Sequence, residues 1–216
     1  DGQSLAGIDF SGANLKGVVL CKCDLAGARF GKADLEGAVF NQCNLRGASF
    51  VKARLVQGKC WVCAMDEADF TAASLAMAEW SRCQAAEARF DGGDLSQADV
   101  DRCDFVGASL RRVDLTAGTL QACVLERTDF TEANLFGTRV SSDMRKAVLV
   151  RTSLRKAILM ESDFTGVDLA SCNLELAQAT KACLARANLA GAQAVQANFT
   201  DADLSGARLE RIQGDR

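Results

Sequence analysis

Residues 23–42 read CDLAGARFGKADLEGAVFNQ, and a leucine or phenylalanine falls at 25, 30, 35 and 40. Two places before each of these centres stands a small residue: Cys23, Ala28, Ala33 and Ala38. Read outward, the same spacing starts at Leu5, runs to Val140, slips once, and resumes from Met144 through Leu209. Of the 42 centres, 33 are Leu or Phe, and before 40 of them the inner partner is Ala, Cys, Gly, Ser, Thr or Val. A helix brings neighbours together every 3.6 residues and a flat strand every 2, so a strict five over some 200 residues fits neither. It requires a bend in every unit.

If four such units close one circuit, residues 20 apart stack vertically and share a chemical type. They do. Phe10, Phe30, Phe50, Phe70 and Phe90 form one column, broken by Leu110 and resumed by Phe130. Leu15, Leu35, Leu55, Leu75, Leu95, Leu115 and Leu135 form a second. Cys23, Cys43, Cys63, Cys83, Cys103 and Cys123 form a third at the small position, followed by Ser142 and Ser162. The chain therefore reads as one domain over 1–216, with a register slip near 141–144.

The units Ala-Asn-Leu-Lys-Gly at 13–17, Ala-Asp-Leu-Glu-Gly at 33–37 and Ala-Asp-Leu-Ser-Gly at 202–206 resemble the A(D/N)LXX units of pentapeptide repeat proteins. The resemblance implies an all-β fold, a right-handed quadrilateral parallel β-helix of about ten 20-residue coils. The centre and the residue two before it then point inward, and the other three face water. Twelve of the 18 glycines fall two places after a centre, where a corner needs backbone freedom.

Composition narrows function. There is no histidine, so the side chain best suited to proton transfer near neutral pH is missing, and no Ser/His or Cys/His pair can form. Neither a P-loop nor a helix-opening GxGxxG is present. Of the 28 acidic residues, 13 are Asp immediately before a centre, a place the repeat itself prescribes. The ten cysteines read mainly as small hydrophobes. Cys60-Trp61-Val62-Cys63 spells CxxC, but both thiols fall at inward positions; Cys21 and Cys183 are the outward ones. No enzyme, cofactor or metal site is expected.

The net charge of -3 hides a banded distribution: residues 66–104 sum to -7 and residues 139–156 to +5. The expected partner surface comprises two groups. One is apolar, Trp61, Val62, Val56 and Met77; the other is basic, Arg139, Arg145, Lys146, Arg151, Arg155 and Lys156. Phe136 and Met160 are further outward apolar residues.

The leading expectation is a rigid, non-enzymatic scaffold or protein-interaction module, part of a larger bacterial protein of the secretion or effector kind. It would contact a protein partner, flanking domains of its own chain, or further copies end to end. The rival is a DNA mimic that inhibits or protects DNA gyrase, as the quinolone-resistance members of the resembled family do. The basic band and the lack of a C-terminal dimerisation element or inserted loop argue against it. Direct nucleic-acid binding through the basic band ranks below both. No apolar run approaches the roughly 18 residues of a membrane span, so a cytoplasmic location is expected.

Overall fold

The computed structural model describes residues 1–214. Seven short strands recur at 20-residue steps: β1 Val19–Cys21, β2 Val39–Asn41, β3 Lys59–Trp61, β4 Glu79–Ser81, β5 Asp99–Asp101, β6 Thr119–Val124 and β7 Arg139–Asp143. They pair in parallel and in chain order, with Leu20 opposite Phe40, Phe40 opposite Cys60 and Cys60 opposite Trp80. These strands span six circuits of a solenoid, and bridges continue their column through Ile158, Gln178 and Asn198. The other three sides are tied by single parallel bridges, such as Asp9 to Arg29, Asn14 to Asp34 and Asp24 to Asn44. We call the four the Phe side, the Leu side, the strand side and the fourth side.

Each corner follows from the five-residue unit. The residue three after a centre donates its N–H back to that centre's carbonyl, as Ala33 does to Phe30 at 2.9 Å. The residue two after the centre takes left-handed backbone, with φ of 62° at Gly27 and 57° at Lys32. Glycine suits that conformation, but the coil-to-coil ladder holds lysine, glutamine and arginine there as well. Val62, at φ 56°, is the only β-branched residue among the described residues to adopt it.

Centres and small residues together fill the interior. Leu25, Ala28, Phe30 and Ala33 are fully enclosed, and the pattern holds from Cys23 to Ala194. Phe30 lies directly over Phe50, ring centroids 4.8 Å apart and planes 6° from parallel. The stack runs from Phe10 to Phe90 at 4.7 to 5.1 Å, with Phe40 edge-on to Phe30 and Phe50. Each interior ring is desolvated on both faces, worth roughly 2–3 kcal/mol per phenylalanine from apolar burial alone.

The thiol column has a hydrogen-bonding reason. At the corner leaving the strand side, Cys23, Cys43, Cys63, Cys83 and Cys103 make no turn bond to their preceding centres. Three of these thiols instead reach the centre one circuit back: Cys43 Sγ donates to the Leu20 carbonyl at 3.2 Å, Cys63 Sγ to that of Phe40 at 3.4 Å and Cys83 Sγ to that of Cys60 at 3.3 Å, whereas Cys23 and Cys103 donate to the carbonyls of Cys21 and Asp101. The same column also accepts, since the Cys83 N–H donates to Cys103 Sγ at 3.4 Å. Ser142 fills both roles, accepting from the Cys123 N–H and donating to the Leu120 carbonyl, each at 3.1 Å. A small residue able to donate and accept is what the site requires.

At the slip, Gln121 pairs with Ser141 but Val124 pairs with Asp143, so three residues of β6 face two of β7. The missing residue is the left-handed one, the counterpart of Arg82 or Arg102. Without it the chain passes the corner as continuous strand, Arg139–Asp143. One circuit then takes 19 residues, as in Asp129 to Val148 and Arg139 to Ile158, before 20 returns with Asp143 to Asp163. Beyond it the strand side ends in ordinary turns, Ser162 N–H to the Leu159 carbonyl at 3.2 Å.

Candidate interaction surfaces

Of the expected apolar group, Val56 and Met77 lie on the corner entering the strand side, and Trp61 and Val62 on the corner leaving it. Between them Lys59 Nζ and Glu79 pair at 2.9 Å, and the same ammonium stands 5.9 Å from the Trp61 ring centroid. Trp61 is 37% and Val62 50% exposed; Val56 is half-buried. Gly37, Gln57, Lys59, Met77 and Glu79 line a shallow depression there. Val19, 62% exposed, faces outward on the same side two circuits earlier. The four sequence-derived residues thus frame one flat side, with an ion pair at its middle.

The basic group is a girdle and not a patch. Arg139 lies on the strand side, Arg145 and Lys146 on the corner between the fourth and Phe sides, Arg151 on the next corner, and Arg155 with Lys156 on the one after. Four of the six are matched by carboxylates. Arg145 pairs with Asp143 at 2.6 Å and reaches Asp163 at 3.4 Å; Lys146 pairs with Glu126 at 2.9 Å; Arg155 with Glu175 at 3.1 Å; Arg151 with Glu132. Lys146 in turn holds the Glu126 carboxyl below its usual range. Arg155 and Lys156 lie over the Phe136 ring at 5.8 and 5.5 Å. Linear charge sums missed this because the neutralising acids other than Asp143, namely Glu126, Glu132, Asp163 and Glu175, lie about 20 residues away along the chain and one circuit away in space.

The acidic band is matched in part too: Asp66 by Arg46 at 3.0 Å, Asp91 by Arg89 at 3.3 Å and Glu79 by Lys59. At the slip, Cys123, Val124, Leu125, Glu126, Asp143, Arg145 and Lys146 line a cleft of ≈ 250 Å³. Sequence reading marked the slip, Arg145 and Lys146, but not Val124 or Glu126. The signal lay in the missing residue, which leaves two coils unevenly matched.

All ten cysteines are free. Burial pushes the Cys172 thiol up to about 12 and Cys123 to about 11, so these sulfurs stay protonated and unreactive near neutrality. Among the described residues no cluster of Cys, Asp or Glu could hold a metal ion, and no helix is long and apolar enough to cross a membrane.

The family model for pentapeptide repeats matches in 8 copies, over residues 4–42, 23–58, 63–100, 103–142, 140–175 and 182–213. No curated protein matches the chain. Among solved structures it is similar to HetL, a pentapeptide repeat protein involved in heterocyst differentiation regulation in the cyanobacterium Nostoc sp. Strain PCC 7120. The two are 28% identical over 94% of this chain and 88% of that one, with a TM-score of 0.43. A trypsin-treated variant of QnrB1, a plasmid-mediated fluoroquinolone resistance protein, is 19% identical over 99% and 90% of the two chains, at 0.49. Rfr23 from the cyanobacterium Cyanothece 51142 is 16% identical over 67% and 90%, at 0.34.

Proposed function

The chain belongs to the pentapeptide repeat family, and on that premise we propose that it is a rigid, non-enzymatic protein–protein interaction module that meets its partner on the strand side around Trp61. The observation that carries this reading is the pair Trp61–Val62. An exposed indole stands beside the one β-branched residue in left-handed backbone, where glycine or asparagine would cost less. Val56, Met77 and the Lys59–Glu79 pair extend it into a surface around an aromatic anchor, the residue class in which binding hot spots are enriched.

The test places a photo-crosslinking phenylalanine analogue at position 61 and, as control, at the exposed Ser171. A discrete adduct with one protein from the source cell at 61 alone, abolished by Met77→Ala and weakened by Val62→Gly, supports the reading. Equal labelling at both positions overturns it. The gyrase reading is separated by a supercoiling assay: inhibition by wild type and Trp61→Ser alike would favour it. The partial matching of the acidic band by Arg46, Lys59 and Arg89 weighs against it.

A further inference from the structure

In a regular coil each centre, and each residue two beyond it, donates its N–H to a carbonyl one circuit on. Phe105 does so to Val124 and Gly107 to Glu126, both at 2.9 Å. One circuit later this fails. Neither Leu125 nor Arg127 makes a hydrogen bond of ordinary geometry to the carbonyls of Asp143 and Arg145. Above the same corner the N–H groups of Lys146, Leu149 and Asp168 likewise lack their ladder partners.

The loss is confined to the fourth and Phe sides, where the Arg151 N–H also turns from the ladder to Ser171 Oγ at 2.9 Å. On the Leu and strand sides, Leu135 still donates to Ser153 at 2.8 Å, Gly137 to Arg155 at 3.0 Å and Val140 to Ile158 at 2.9 Å. The corner itself is pinned at its two ends, Met144 N–H to Asp163 at 2.8 Å and Val148 N–H to Thr128 at 2.9 Å. Between those pins, Arg145 and Lys146 are tied to adjacent coils by side chains: Lys146 to Glu126 in the coil below and Arg145 to Asp163 in the coil above. Beneath lies the ≈ 250 Å³ cleft, floored by Cys123, Val124 and Leu125.

We propose that the corner Met144–Val148 is a strap over this cleft, latched by the Lys146–Glu126 and Arg145–Asp163 ion pairs in place of the backbone ladder, and that it lifts without unfolding the rod. The one-residue deletion is its cause, since a 19-residue circuit cannot keep both sets of ladder bonds in register on every side. The ion pairs are solvent-exposed, so added salt weakens them while leaving apolar stacking intact.

Residue-resolved hydrogen exchange tests this on the whole chain. Protection factors for Leu125, Arg127 and Lys146 are expected to fall at least tenfold below those of Phe105 and Gly107. Raising salt from 0.05 to 1 M, or the substitution Lys146→Gln, is expected to lower them a further two- to fivefold, with Phe105 and Gly107 unmoved. Protection at Leu125 and Arg127 equal to that at Phe105 and Gly107 overturns the strap. So does a tenfold deficit that neither salt nor Lys146→Gln changes, because the latch would then be absent.

Discussion

Cys60 and Trp80 are register partners in adjacent strands β3 and β4, a small centre directly beneath the largest one in the column. The indole uses the room the thiol leaves and packs against Phe70 and Phe90 at 5.2 and 5.6 Å. Its Nε1–H is buried without a hydrogen-bond partner. Cys60→Leu alone should overpack the site and cost about 1–3 kcal/mol. Trp80→Leu removes an unpaired donor but opens a void. Together the two restore the ordinary column, so their effects should be non-additive by about 1 kcal/mol or more in a double-mutant cycle followed by denaturant unfolding. Additive effects would mean that the two side chains do not compensate each other.

Phe50 is sandwiched between Phe30 at 4.8 Å and Phe70 at 4.7 Å. Phe50→Ala should cost about 3–5 kcal/mol. Phe10→Ala, whose ring stacks on Phe30 alone and is only half-buried, should cost less than half as much. Guanidinium midpoints of the two variants check the ranking; equal losses would mean that stacking neighbours do not set the energy.

Glu36 receives hydrogen bonds first from Arg54 and then from Lys16, which lies at 3.0 Å, and together they hold its carboxyl at about 2. Because the folded state favours the ionised form, this contribution is complete above the ordinary value of 4.5 and disappears as pH falls from there towards 2. Urea midpoints measured at pH 6 and pH 2.5 should differ less in Glu36→Gln than in wild type.

The buried thiols predict the opposite slope in alkali. Cys172, pushed up to about 12 by burial, donates to the Leu149 carbonyl at 3.0 Å. The fold favours its protonated form, so its contribution is complete below the ordinary value of 9.0 and declines as pH rises from there towards 12. Cys172→Ser should flatten that decline. At pH 8 a thiol reagent should modify Cys21 and Cys183, the two half-buried sulfurs, well before the other eight. Uniform labelling would contradict the ladder.

Much of this molecule was readable from Phe10, Phe30, Phe50 and their 20-residue spacing, because a column of identical side chains constrains geometry on its own. The corners were readable from glycines such as Gly27 and Gly37. The surface was less so. That Trp61, Val62, Val56 and Met77 border one side follows from counting, but that Lys59 and Glu79 close the space between them does not. The basic band misled in linear form, since Lys146 and Glu126 are neighbours only once the chain has gone round. The reason for cysteine at 43 and 83 became visible only with the missing turn bond, which no residue pattern announces.

The chain has two indoles and no tyrosine. One, Trp61, stands at the surface, and the other, Trp80, is sealed in the core. Ultraviolet emission therefore carries two separable voices, a red-shifted one open to acrylamide quenching and a blue-shifted one shielded from it. Contact on the strand side would alter the first and leave the second untouched, whereas loosening of the interior would do the reverse, so a single unlabelled sample distinguishes docking from melting.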